Sequence, residues 1–143
     1  MANPWSDRWS FVKTYIPDNI SIIDFGCGNC EVLEHVRPSQ YLGVDIVYSA
    51  DIIADISTPL DFQQKFDLAL VLGVLEYLEN PDQALDNAVR AADNCVILTL
   101  PVKIKKEWRR AYTESSIDTL LHKFYSSVKH HRHGRYILSV CKK

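Results

Sequence analysis

No apolar run in this sequence approaches the roughly 20 residues that a bilayer-spanning helix needs. The longest stretch free of polar side chains, Leu68 to Leu75, is 8 residues. The opening MANPWSDRWS lacks a basic segment followed by an apolar one, so no secretory leader is expected in it. Cysteine is also scarce. Cys27, Cys30, Cys95 and Cys141 are too few and too unevenly placed for a disulfide framework, and they suit a reducing compartment. A cytoplasmic protein without a membrane segment is expected. Low-complexity tracts, internal repeats and Pro/Gly-rich linkers are absent. Acid is missing from one end: residues 103–143 carry 3 Asp/Glu against 11 Lys/Arg, whereas residues 1–102 carry 15 against 5. Such asymmetry signals an anionic partner, unless the two halves face and neutralise each other.

What is present suffices for one core. Apolar residues make up 47% of the 143, and a single domain over 1–143 is expected. Asn3 and Pro4 offer a helix cap and a first-turn residue with no amide to waste. Trp5, Trp9, Val12 and Ile16 then share one helical face up to Pro17. Ser21–Phe25 reads as a strand, and residues 31–36 as a helix that Pro38 stops. Further strands are expected over 41–47, 51–56, 66–72 and 95–100. Between them fall a helical turn from Thr58 through Phe62 and a helix opened by Asn80-Pro81, with Leu85, Ala88, Val89 and Ala92 inward. This alternation predicts parallel strands, right-handed crossovers and helices on both faces. Residues 104–112 and 116–123 read as helices, and 124–129 and 135–141 as a hairpin turning at Gly134. The expected fold class is therefore α/β, a Rossmann-like sheet of 7 strands, mostly parallel, with one antiparallel strand from the hairpin.

The first strand runs into Asp24-Phe25-Gly26-Cys27-Gly28-Asn29-Cys30. In a doubly wound sheet, ligands sit where the first strand turns into its helix. Gly26 and Gly28 permit positive φ and close approach of the backbone, and a following helix would offer unpaired amides. Asp45, 21 residues after Asp24, stands near the spacing at which an acid reaches ribose hydroxyls. A nucleoside-containing ligand follows. The third glycine of G-x-G-x-x-G is missing, which disfavours a pyrophosphate.

With these motifs the sequence resembles the class I S-adenosylmethionine-dependent methyltransferases, whose first motif is an acid followed by x-G-x-G. The resemblance covers residues 20–141. It implies that Asp24, Gly26, Cys27 and Gly28 cradle the cofactor, and that Asp45 in "LGVDI" binds both ribose hydroxyls with Ile46 packing on adenine. In "ADIS", Asp55 would accept from the adenine amino group and the Ile56 amide would meet a ring nitrogen. "FDLALVLGVLEYLENPDQAL" is similar to the fourth motif of the branch containing quinone-biosynthesis methyltransferases, which places the backbone of Leu72 and Gly73 beside the methionine moiety. Two positions depart from the pattern: Cys30 replaces the third glycine, and Tyr77 replaces the usual histidine.

Methyl transfer from a sulfonium needs alignment and exclusion of water rather than a protein nucleophile. An acceptor that loses a proton needs a base, and Glu76 is the catalytic candidate ahead of Tyr77; its other reading is as a cap before Pro81 or an organiser of the pocket. Cys27 and Cys30 form C-x-x-C at a helix start, a redox pattern elsewhere but read here as loop fillers. His130, His131 and His133 lack a partner ligand at metal spacing, so no metal is expected; a solvated basic turn fits them. Trp5 and Trp9 pack on the sheet or cover the cofactor. With no long insertion around the fifth strand, the acceptor side is expected to be open, without a large cap. Either the acceptor is bulky, anionic or macromolecular and meets the basic C-terminal segment, or a second subunit of a homo-oligomer supplies the wall. No aromatic-interleaved nucleic-acid motif is present. The other function classes are a non-catalytic cofactor-binding module and a nucleotide-dependent oxidoreductase.

Overall fold

The computed structural model describes residues 4–101 and 112–143. Four parallel strands lead: β1 (Ser21–Phe25), β2 (Gln40–Asp45), β3 (Ile52–Ile53) and β4 (Phe66–Leu72). Then follow α2 (Pro81–Ala91), β5 (Ala92–Pro101), α3 (Glu114–Leu121) and the hairpin β6 (Ser127–His133) and β7 (Tyr136–Lys142), while α1 (Pro4–Val12) precedes the sheet. The 7 strands lie in the order β3-β2-β1-β4-β5-β7-β6. β7 runs antiparallel to β5 and β6, and every other pairing is parallel. This is the expected Rossmann-like sheet.

Period-two alternation splits the strand residues between two cores. Ile23, Ala69, Val71 and Leu98 pack with Leu85 of α2 and Ile117 of α3 on one face. Ile22, Leu68, Leu70 and Ile97 pack with Trp9 and Val12 of α1 on the other. Asn80 caps α2 through its side chain, with Pro81 in the first turn, and Thr113 and Ser116 form a reciprocal capping box at α3. Among the described residues no helix is long and apolar enough to cross a membrane.

Local expectations fail in places, each for a physical reason. The helix expected after the glycine loop is one 3-10 turn, Glu31–Glu34, entered from Cys30 in a left-handed conformation (φ 58°) and ended where His35 leaves helical backbone angles (φ -121°, ψ -24°) ahead of Pro38. No helical turn forms from Thr58 to Phe62. There the Thr58 hydroxyl donates to the Asp55 carbonyl, and buried Asn87 of α2 holds the segment: its Nδ2 donates to the carbonyls of Ile56 (3.0 Å) and Thr58 (2.9 Å), and its Oδ1 accepts from the Leu60 amide. β3 keeps only 2 residues. Ala92 opens β5 rather than continuing α2. The three histidines lie on β6, not in the turn, because pairing with β7 runs unbroken to His133–Tyr136. The Asn3 cap, the side chain of Trp5 and the helix expected over 104–112, apart from Tyr112, lie outside the described residues.

Asn87→Ala leaves two carbonyls and one amide without partners, so we expect a loss of about 2–3 kcal/mol in urea unfolding with the sheet retained.

Candidate functional site

Two clefts open at the carboxyl ends of the parallel strands and meet at Gly26 and Val74. The larger, about 430 Å³, is lined by Trp9, Asp24, Gly26, Cys27, Gly28, Asn29, Glu31, Val32, Glu34, Leu72, Gly73 and Val74. The smaller, about 180 Å³, is lined by Gly26, Asp45, Ile46, Ala54, Asp55, Ile56, Val74, Tyr77 and Leu78. All ten expected cofactor residues therefore line these two adjoining clefts.

The groove owes its shape to the glycine bend. At Gly26 (φ 77°) the amide donates to the Val44 carbonyl at 2.7 Å, and a Cβ there would stand 2.2 Å from Val74 Cγ2. Gly28 (φ 54°) faces open space, and its amide donates to Asp45 Oδ2 at 2.8 Å. Asp45 Oδ1 accepts from the Ile46 amide at 2.7 Å. One amide on each oxygen fixes the carboxylate while leaving each a further lone pair. Asp55 is held by Ser57, whose amide and hydroxyl both donate to Oδ1, keeping its carboxyl below the usual range. The Gly73 amide donates to Thr99 Oγ1 at 2.8 Å. Ile46, 70% exposed, presents a large apolar side chain beside the smaller cleft.

Asp24 is buried, and Tyr41 donates to its Oδ2 at 2.7 Å. Burial pushes its carboxyl up to about 6 against the effect of that bond, and the charge of Asp45 adds to the rise. Three carboxylates, Asp24, Glu31 and Glu34, line the larger cleft, and among the described residues no Lys or Arg does. Trp9 covers it, donating through Nε1 to Glu31 Oε2 (3.3 Å) and stacking on His35, so it packs on the sheet and walls the cleft at once.

Glu76 was expected at the mouth of the site. It is instead 2% exposed and lines neither cleft. Its Oε1 has no hydrogen-bond partner among the described residues. Burial pushes its carboxyl up to about 7, opposed by a bond to its own backbone and by the nearby Arg8 charge. The Cys27 and Cys30 thiols are free and crowd over Gly43, where a Cβ would lie 2.8 and 3.0 Å from their sulfurs. Burial pushes the Cys27 thiol far above its ordinary range, so it stays protonated. The histidines do not converge: His130 bonds Ser139 and Asp118, while His131 and His133 lie against Tyr15 and Phe11.

Sequence reasoning missed Tyr41, Val74, Thr99 and the pair Glu31 and Glu34. Only Tyr41 carried a signal: it shares the strand face of Gly43, the residue paired with Asp24.

A family model described as "Methyltransferase domain" matches residues 1–138. The chain belongs to the methyltransferase-domain family. Among solved structures, this methyltransferase is similar to a Synechocystis magnesium protoporphyrin IX methyltransferase with bound S-adenosylmethionine, at TM-score 0.67 and 14% identity, over 96% of this chain and 79% of that one. It is similar to the N-methyltransferase NodS of Bradyrhizobium japonicum with S-adenosylhomocysteine, at TM-score 0.72 and 17% identity, over 99% and 88%. It is also similar to a chain in the complex of the Haloferax volcanii activator Trm112 with a methyltransferase, at TM-score 0.79 and 10% identity, over 96% and 91%. At such identities these likenesses establish the fold alone, and none singles out the quinone-biosynthesis branch. No curated protein sequence matches the chain significantly.

The class I methyltransferase cofactor is S-adenosylmethionine, and the donor set fits it. A cleft lined by carboxylates suits an ammonium beside a sulfonium and repels a pyrophosphate, and the open space at Gly28 leaves room for a tail.

Gly26→Ala is expected to destabilise the methyltransferase by more than about 2 kcal/mol, through both positive φ and the Val74 clash, with part recovered by adding Val74→Ala. Gly28→Ala, with free space around it, should cost about 1 kcal/mol. Urea unfolding of the three variants checks the order.

Proposed function

We propose that this methyltransferase seats the amino-acid tail of S-adenosylmethionine in the larger cleft and its nucleoside in the smaller, and methylates a bulky or anionic acceptor reaching an open face. The observation that carries the reading is the lining of the larger cleft: among the described residues it presents Asp24, Glu31 and Glu34 and no Lys or Arg. Asp24 receives the ammonium, and the ribose hydroxyls donate to the free lone pairs of Asp45. Asp55 accepts from the adenine amino group, the Ile56 amide meets a ring nitrogen, Ile46 packs on the ring, and Leu72 and Gly73 flank the methionine chain. Bound there, the cofactor supplies an activated methyl group.

For acceptors that lose a proton, Glu76 is the proton acceptor. Its unpartnered Oε1 can receive an N–H or O–H, and a carboxyl near 7 exchanges protons readily at neutral pH. Because it lines neither cleft, the acceptor approaches it from the side of Arg8 and Tyr77, both of which lie within electrostatic reach of one another and Arg8 of Glu76. A single domain over 1–143 without a large cap carries the site. The hairpin supports an anionic or macromolecular acceptor: among the described residues, Lys129, Arg132 and Arg135 make no ion pair with a carboxylate.

Thermal unfolding with S-adenosylhomocysteine, S-adenosylmethionine and NADH in turn tests the cofactor site. At about 100 times its dissociation constant the homocysteine derivative should add roughly 2.7 kcal/mol. Asp45→Ala should abolish the shift, and stabilisation by NADH alone overturns the reading. The pH dependence has a definite sign. Asp24 in the free protein is protonated below about 6, and an ammonium selects its carboxylate form, so binding expels a proton there. Affinity for S-adenosylhomocysteine should rise about tenfold per pH unit up to about 6 and then level off, and Asp24→Asn should flatten this profile.

Glu76→Gln separates base from structural filler. With any acceptor that supports transfer of a labelled methyl group, turnover should drop at least about 100-fold while cofactor affinity holds. Unchanged turnover would assign Glu76 to packing alone.

A further inference from the structure

The hairpin edge of the sheet carries features that neither cleft uses. β6 is a terminal strand of 7 residues, paired with β7 on one side, and no backbone–backbone bond among the described residues reaches its outer side. The opposite edge, β3, offers only 2 residues. Both faces of β6 are pinned. On one, His133 stacks on Phe11 (4.8 Å) and His131 lies against Tyr15 (4.5 Å). On the other, His130 is clasped between Ser139 Oγ and Asp118 Oδ1, each at 2.8 Å. Side-chain contacts thus hold β6 in place on both faces, which lowers the ordering cost of a strand added to its outer edge.

Its charge is of one sign. Residues 119–143 contain no Asp or Glu at all, and Lys129, Arg132 and Arg135 are exposed. The one acid at this edge, Asp118, is taken by His130 and by His122 at 3.4 Å. A second copy of the chain pairing β6 with β6 would set these cations against each other, which disfavours self-association through this edge. Single-stranded nucleic acid needs aromatic faces for its bases. Here the rings of Phe11 and Tyr15 are covered by histidines, and the Arg8 guanidinium sits 3.5 Å over the Tyr136 ring.

Resting on the reading that the acceptor side meets an anionic macromolecule, we propose that the outer edge of β6 docks an acidic, extended peptide segment of a protein partner, which joins the sheet as a further strand. Its backbone pairs with alternate residues from Ser127 to His133, with carboxylates on one face of the added strand meeting Lys129 and those on the other meeting Arg132. β6 runs parallel to β5, so its His133 end lies at the same end of the sheet as the clefts, three strand spacings or about 14 Å from β4. A segment docked there delivers the chain that follows it toward the acceptor side.

The probe is acetyl-Glu-Glu-Val-Glu-Glu-Val-Glu-amide, whose acids fall on both faces of a strand, compared with its Lys-for-Glu counterpart and with decameric uridylate. Binding is followed by fluorescence anisotropy and by amide hydrogen exchange, with the thermal shift given by S-adenosylhomocysteine as the control. The acidic peptide should bind in a salt-sensitive manner and protect alternate β6 amides. Lys129→Glu with Arg132→Glu should weaken it at least about tenfold and leave the thermal shift unchanged. Three results overturn the proposal: uridylate binding as tightly as the acidic peptide, peptide binding without β6 protection, or no acidic-peptide binding at low salt, which would reduce the cations to guards of a bare edge. Loss of the thermal shift in the unmodified protein is the separate failure of the cofactor reading.

Discussion

The bend at Gly26 is closed from two sides, and the rest of the groove follows from it. Its amide is bound to Val44 of β2, and its Cα faces the Val74 side chain just past β4 with no room for a Cβ. The carboxyl ends of β2, β1 and β4 are thereby locked at one depth. The two clefts share this point, so a ligand spanning them passes directly over the bend. Any side chain at Gly26 would push β4 away from β1 and open the groove, while a side chain at Gly28 would only fill it. The two glycines look alike in the sequence and do different jobs.

Around the bend, polar groups are arranged at a cost that only a ligand offsets. Asp24 is buried with one good hydrogen bond from Tyr41, and Glu76 keeps an oxygen with none. Burial raises both carboxyls above their ordinary range. A fold selected only for stability would replace them by apolar residues. Their presence next to the groove is what a binding site requires, since a cation or a donor brought by the ligand restores the interaction that burial removed.

Strands were legible because period two and the turn signals act over a few residues. Ser21–Phe25 and Phe66–Leu72 were read with their observed limits; the placing of Asp24, Gly26 and Asp45 followed from strand ends, and that of Asp55 and Gly73 from the family resemblance. Elements set by distant partners were not legible. The segment after Asp55 was read as a helical turn because Thr58-Pro59 favours one locally, yet Asn87, 29 residues beyond Thr58, supplies its hydrogen bonds instead. Cys30 was read as a replacement for the third glycine, and it takes the left-handed backbone that a glycine would adopt there, while the helix read after it ends at His35 after one 3-10 turn. Glu76 lay in the right motif, but its depth depends on packing that no local pattern records. The histidines of β6 were assigned to the turn because a polar strand has no apolar alternation to betray it.

The charge asymmetry of the sequence becomes a division of space in the fold. Acid gathers at the end of β1, where Asp24, Glu31 and Glu34 line the larger cleft, and base gathers on β6. An anionic partner would be repelled by Asp24, Glu31 and Glu34 if the two fields overlapped. They are separated by four strand spacings, roughly 19 Å of sheet, against a Debye length of about 8 Å at physiological salt. Each surface therefore acts on its own ligand with little interference from the other. The order β1-β4-β5-β7-β6 is what creates this separation, because the antiparallel hairpin adds its basic strand at the far edge, with its end still turned toward the cofactor groove.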